Sequence, residues 1–380
     1  MSARELRAAL TAMLLGTAAF GAVSLVTTLP AMAATVSAKV GPLLKEAQSL
    51  AQAGNYKGAT AKLDEADRVK SSPEDAAIIK QLRSYVAVKS GDTSTKEGAK
   101  AKFANDYNAR KYKDVIADAE ALRKVGALDA AAMQIIAQSY YLSHDAAGCE
   151  RYIKSNLKSP SDSTLELLMR CAYDAGDDAT QRTALETLVS HTNKPEYWKN
   201  LLRLSERSRG LSDHNTLDIN RLRLLTGNVT TKDEYTLLAQ LALQLGNAAE
   251  AQSVIEKGIA AKVLTDDRSK RLLALAQGQA AKNAANLQKD IAAAQAQPQG
   301  DALVKVGEDM VGMGKAKDAI GVIQQGLKKP LKDQANGQIR LGQAYLAAGQ
   351  KADAQKAFAA VKSPEKDAMV AHLWSLASRR

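Results

Sequence analysis

Cysteine, histidine, proline and aromatic residues are all scarce in this chain, and each shortage removes a class of protein. Its 380 residues include two cysteines, four histidines and eight prolines, and aromatics make up 4%. Two cysteines cannot staple a disulfide-dense scaffold. None of His144, His191, His214 and His372 lies within four residues of another histidine or of a cysteine, so local zinc signatures are missing. A β-sandwich or an α/β enzyme carries more β-branched and aromatic side chains than this. There is no G-x-S-x-G, no Walker loop and no H-E-x-x-H. The acidic pairs Asp177-Asp178 and Asp266-Asp267 sit where helices should start, a capping position and not an acid–base pair. With no acid, base, nucleophile or metal set in view, the chain is read as a non-enzyme without a cofactor, and an enzyme with a site built across distant segments ranks last.

Alanine, by contrast, is abundant, and charge is plentiful and positive, with a formal net charge of +11. The N-terminus reads as a signal peptide over 1–33. Arg4 and Arg7 form a basic head, an apolar stretch follows to Leu29, and Ala31-Met32-Ala33 offers a small-x-small cleavage site. The competing reading is an uncleaved anchor, since about 20 apolar residues span a bilayer. Gly16, Gly21 and Pro30 favour cleavage, and no other segment is apolar enough to cross a membrane. Removing two arginines and one glutamate with the leader leaves +10. Export therefore replaces nucleic acid, the usual partner of a basic protein, with anionic envelope partners such as acidic polysaccharide or peptidoglycan.

The last third of the chain repeats itself about 35 residues apart. VGEDMVGMGKAKDAIGVIQQGL (306–327) aligns with LGQAYLAAGQKADAQKAFAAVK (341–362), and both align with LAQLALQLGNAAEAQSVIEKGI (238–259). Turn positions fall at Gly54, Arg110, His144, Gly176, Gly210, Gly246, Gly314 and Gly349, with steps of 34, 32, 34, 36, 68 and 35 from Arg110 onward. The step of 68 reads as two units with a degenerate turn near Ala280, and an extra helix at about 74–90 absorbs the gap after Gly54. Second helices repeat a small–large–small pattern: Ala59, Leu63, Ala66; Ala251, Ile255, Gly258; Ala319, Ile323, Gly326. First helices answer with a large residue and then a small one, as in Leu238-Ala239, Val306-Gly307 and Leu341-Gly342. Spacings of four and three put these residues on one helical face, and the small ones let two axes approach closely.

The glycine turn, the alanine five residues later and the L-G-x-x-Y of LGQAY resemble the tetratricopeptide repeat (TPR). YWKNLLR (197–203), LDINRLRLLTGN (217–228), the 235–264 unit and AHLWSLA (371–377) are similar to a group of exported, uncharacterised proteobacterial TPR proteins. The usual tryptophan of the first helix is replaced by Tyr235, Leu303 or Gln338. The resemblance implies an all-α, right-handed superhelical solenoid of stacked antiparallel hairpins, in the periplasm of a Gram-negative bacterium or secreted from it. The expected layout is the leader, a hairpin plus extra helix over 34–95, the repeat array over 96–363 and a polar capping helix over 364–380, whose Trp374 packs on the last hairpin. The stretch 274–299 is expected to be a long, weakly packed helix pair.

In the superfamily, ligands contact the first helices, including the residue after the small site. Carried onto this sequence, the groove would present Gln48, Gln138, Gln240, Glu308 and Gln343, with Gln134, Thr236, Tyr141 and Leu243 beside them. Such a surface suits an extended peptide or glycan held by neutral hydrogen bonds; alternatively, glutamine is simply a good helix former on a wet face. Cys149, at a small site, and Cys171, in the next first helix, should lie on neighbouring helices. They are either bridged or two buried fillers. The function implied is an envelope scaffold that binds other proteins; the alternative is a carrier for an anionic glycan or small ligand.

Overall fold

A computed structural model describes residues 36–379; the leader expected over 1–33 lies outside the described residues. All regular elements among the described residues are α-helices, and none is long and apolar enough to cross a membrane. The chain divides into two compact units, the boundary falling after Pro160. In the first, α1 (Gly41–Gln52) pairs with α2 (Tyr56–Val69), α4 (Lys96–Asn108) with α5 (Tyr112–Lys124), and α6 (Ala130–Leu142) with α7 (Ala146–Asn156). The expected extra helix is α3 (Pro73–Ser90), packed on both α2 and α4. Ser72 caps it by accepting the Asp75 N–H at 3.0 Å, and Gly91, at φ 69°, ends it.

The second unit pairs α8 (Asp162–Ala175) with α9 (Asp178–Thr192), and α10 (Pro195–Glu206) with α11 (Asp213–Leu225). Next comes the hairpin of α12 (Lys232–Gln244) and α13 (Ala248–Ala260), then the single long α14 (Asp267–Ala296). Two further hairpins follow: α15 (Asp301–Gly312) with α16 (Ala316–Leu327), and α17 (Gln334–Ala347) with α18 (Lys351–Ala359). The chain ends in α19 (Glu365–Ala377).

All eight expected turn residues adopt positive φ, from 58° at Arg110 and 64° at His144 to 80° at Gly349. A left-handed residue lets the chain reverse between two helices. Glycine does this without a Cβ clash, whereas Arg110 and His144 carry the strain that tertiary packing must offset. The small–large–small faces are the buried ones: Ala59, Leu63, Ala66, Ala251, Ile255, Ala319 and Ile323 are fully covered. A Cβ on Gly307 would strike Ile323, and one on Gly342 would strike Phe358, so axial closeness demands glycine at both. Ala251→Leu is accordingly expected to overpack the α12–α13 contact and cost about 1–3 kcal/mol, read as a lower midpoint of thermal unfolding.

Two expectations are corrected. There is no turn near Ala280, and 274–299 is not a helix pair: α14 runs unbroken for 30 residues. Its buried residues Ala280, Leu287 and Ala294 recur every seven positions, one narrow stripe that a continuous helix presents to its neighbours. Alanine, lysine and glutamine are strong helix formers, and Gly278 alone does not stop the run. The terminal helix is also no polar cap. Val370, Ala371, Leu373, Trp374, Leu376 and Ala377 of α19 are all buried. The helix packs on α18 as expected, with Trp374 stacked on Phe358 at 6.1 Å between ring centres. It also packs on α9, α11 and α17. Asn215 donates to Asp367 at 2.7 Å, and Lys366 donates to the Gly210 carbonyl at 2.9 Å. One apolar core thus joins residues of α8–α11 to residues of α17–α19.

Candidate binding site

The second unit contains a cavity of about 590 Å³ walled by α11, α13, α15, α17 and Trp374 of α19. Each helix offers one face to it at helical spacing: Arg221, Leu224 and Leu225 on α11; Glu250, Val254 and Lys257 on α13; Glu308 and Val311 on α15; Arg340, Gln343, Leu346 and Ala347 on α17. On each helix a charged or amide residue lies one turn before an apolar one, so an ionic layer borders an apolar one, and on α13 Lys257 follows one turn beyond Val254. The long α14 explains the choice of helices. A single helix between two hairpins makes the number odd, so the second helices α11 and α13 come to face the first helices α15 and α17. The contact of α13 with α15 spans α14 and follows from that change of step; α15 and α17 touch as neighbouring first helices.

The ionic layer is built from two arginines and three carboxylates. Arg340 is 1% exposed and grips Asp218 with both ends of its guanidinium, at 2.6 and 2.8 Å. Its Nη1 also donates to Gln343 Oε1 at 2.6 Å, and its Nε donates to Asn336 at 2.9 Å. Arg221 grips Glu250 in the same forked way, at 2.7 and 2.6 Å, and donates to Glu308 at 2.9 Å and Asp218 at 3.0 Å. Gln343 closes the ring by donating from Nε2 to Asp218 at 2.8 Å. Forked pairs of this kind are the strong form of the charge-assisted hydrogen bond.

Burial works against the charge on Arg221, but Glu250, Glu308 and Asp218 outweigh it and hold its pKa well above the usual value. Burial likewise pushes the Glu308 carboxyl up, and Arg340, Arg221 and Lys305 more than reverse this, leaving it well below the ordinary carboxylate range. Glu308 therefore contributes stability above its unfolded pKa, which is lost as the pH falls. Its neighbour Asp309 behaves oppositely. Burial outweighs its pairing with Lys305 and pushes the carboxyl up to about 6. The unfolded chain then ionises this group first, so its contribution is complete below about pH 4 and is lost as pH rises through 6. Asp309→Asn is expected to raise stability at pH 7 by on the order of 2 kcal/mol, with no gain at pH 4. Urea unfolding at the two pH values checks this. Lys305 keeps Asn247 at 2.6 Å as an acceptor in the variant.

Of the nine residues expected to line a groove, the structure brings Glu308 and Gln343 to the cavity and engages both in the ionic layer. Thr236, Gln240 and Leu243 lie on α12, which does not line it; Gln240 is exposed and Leu243 packs into the core of α11–α14. Gln48, Gln134, Gln138 and Tyr141 belong to the first unit, all half-buried, and Gln138 accepts from the Tyr107 hydroxyl at 3.3 Å. Sequence reasoning missed Asp218, Arg221, Glu250, Arg340 and Trp374. Asp218 and Arg340 are 122 residues apart and carry no local signature. The one available signal was Arg340 three positions before Gln343, on the same face.

No protein-family model and no curated protein matches this chain. Solved structures do. The TPR domain of P58(IPK) aligns over 90% of this chain and 78% of its own, at 13% identity and a TM-score of 0.27. The Cut9–Hcn1 hetero-tetramer of APC/C aligns over 88% and 66%, at 12% identity and 0.23. A tetratricopeptide repeat protein from Parabacteroides merdae aligns over 90% and 99%, at 13% identity and 0.19. At those scores the assignment as a helical-hairpin repeat protein stands on the chain's own helices, turns and small-residue contacts.

Proposed function

We propose that this chain is a non-enzymatic, exported scaffold of the bacterial cell envelope that holds a protein partner at the cavity of its second unit. One observation carries the reading. The cavity's buried ionisable groups, Arg221, Arg340, Glu250 and Glu308, are committed to one another and to Asp218, so the buried part of its wall offers shape and apolar contact, while the exposed Lys257 and the half-buried Ser253 also line it. The basic head and small-x-small site of the leader support export, and the surplus of positive charge suits an anionic envelope. An anionic glycan is the alternative occupant: both guanidiniums on the wall are already matched to carboxylates, leaving the exposed Lys257 as its cationic contact there.

A photo-crosslinking residue placed at Leu225, on the cavity wall and 46% exposed, should form an adduct with one partner in cells. The same residue at Leu275, 61% exposed on α14 and away from the cavity, should not. Equal adducts at both positions would overturn the proposal.

The two cysteines are part of the same proposal. Cys149 and Cys171 are fully buried and neither is a free thiol. We take them to be joined to each other, a bond that an oxidising compartment maintains. The denatured, unreduced chain should take up no iodoacetamide; two added labels would contradict the bond.

A further inference from the structure

We infer that the outer face of α14 docks a strand of acidic polysaccharide, held by a row of four cations. This surface is separate from the cavity, whose wall contains no residue of α14. Three observations lead to it. The first is the row itself. Arg268, Arg271, Leu275, Gly278, Lys282 and Lys289 follow one another at steps of three, four, three, four and seven, which align them along one side of the helix. All six are exposed, and the buried stripe of Ala276, Ala280, Leu287 and Ala294 lies on another side. At 1.5 Å per residue the four cations extend over about 32 Å, the reach of a polymer and not of a small anion.

The second is charge. None of the four cations is paired with a carboxylate among the described residues. The carboxylates at the start of the helix are engaged by other lysines, Asp267 by Lys270 at 3.0 Å and Asp266 by Lys232 at 2.6 Å. Asp290 is the other acid of α14, and it lies about 100° round the helix from Lys289.

The third is Gly278. Glycine inside a helix is costly, and packing does not ask for this one, since a Cβ there would meet nothing within 4 Å. It stands in the row between Leu275 and Lys282, where a missing side chain lets an occupant lie close on the backbone.

The occupant follows from what the face lacks. A helix lying in a membrane surface needs a broad apolar face, and Leu275 is the one large apolar side chain in this row. Single-stranded nucleic acid is held by stacking bases on aromatic rings, and α14 has none. A polysaccharide bearing carboxylates needs neither, only cations spaced along its length.

The test uses the full chain and a labelled oligomer of ten galacturonates. The oligomer should bind saturably at low salt and weaken steeply as salt rises. A trimer, too short to touch both Arg271 and Lys289, should bind about ten-fold or more weakly. Arg268→Gln, Arg271→Gln, Lys282→Gln and Lys289→Gln together should weaken the oligomer about ten-fold or more, with the thermal midpoint unchanged. Removing the same charge from four other exposed lysines, by Lys199→Gln, Lys315→Gln, Lys317→Gln and Lys362→Gln, should leave binding within about two-fold. Gly278→Leu should raise the thermal midpoint and yet weaken binding about five-fold, a split that a glycine without an occupant would not give. No saturable binding at low salt would overturn the inference, and so would equal losses from the two fourfold variants, which would reduce the row to net charge. Unaltered binding by Gly278→Leu would overturn the close approach. Tighter binding of phosphatidylglycerol vesicles or of a DNA duplex than of the oligomer would overturn the polysaccharide, as would a protein adduct at Leu275.

Discussion

Arg340→Met is expected to destabilise the second unit by about 3–5 kcal/mol, the usual cost of removing one partner from a buried ion pair. The guanidinium is almost wholly enclosed and bonds Asp218, Gln343 and Asn336 at once. Methionine fills much of the volume, so the loss comes from charge and not from a hole. Asp218 would keep Arg221 at 3.0 Å, but its second oxygen would lose the Arg340 bond. Adding Asp218→Leu to Arg340→Met should recover part of the loss, since a matched apolar pair leaves no orphaned charge. Arg340→Lys should fare little better than methionine, because an ammonium cannot fork onto a carboxylate. Urea unfolding of the three variants measures the ordering; a single Arg340→Met within 1 kcal/mol of the parent would show that the network contributes little.

The second large effect concerns the C-terminus. A chain ending at Ser363 lacks α19 and should lose cooperative unfolding of the second unit altogether. Without that helix, the shared core loses six buried residues of α19, and Phe358, stacked on Trp374, loses its cover. The hydrogen bonds from Asn215 and Lys366 and the pairing of His372 with Glu186 at 3.2 Å go as well. Burying one large apolar side chain is worth about 1.5–3 kcal/mol, so several exposed together exceed the net stability of an ordinary domain. The point variant Trp374→Ala, which keeps the helix, should cost about 3–5 kcal/mol. A truncated chain that still melted in one transition, a few degrees lower, would return α19 to the role of a peripheral cap.

These two results separate what the sequence disclosed from what it hid. Hairpin turns were legible because a reversal between helices needs a left-handed residue, and glycine marks most of them. Arg110 and His144 could be placed only from the spacing, since their side chains give no hint of positive φ. Close helix contacts were legible through pairs such as Val306-Gly307 and Leu341-Gly342, where local sequence states how near a neighbour may come. The 68-residue step was misread because a periodic count presumes a turn that residues 267–296 never supply. That single missing turn changes which helices face the cavity, so second helices wall it together with first helices. The cavity's charges were beyond reach for a different reason: a salt bridge between positions 218 and 340 depends on the closed path of the whole unit, not on any window of sequence. The burial of α19 was half visible in AHLWSLA, whose apolar residues occupy too much of the helix circumference for a polar cap.

The central claim is that this unit works by holding a partner in its cavity. The most direct measurement compares photo-crosslinking from Leu225 in two otherwise matched chains, one unaltered and one carrying Ala347→Phe. The account predicts that the adduct falls about ten-fold when the cavity is filled, while circular dichroism and the thermal midpoint stay the same. An adduct formed in equal yield with the cavity blocked would contradict it.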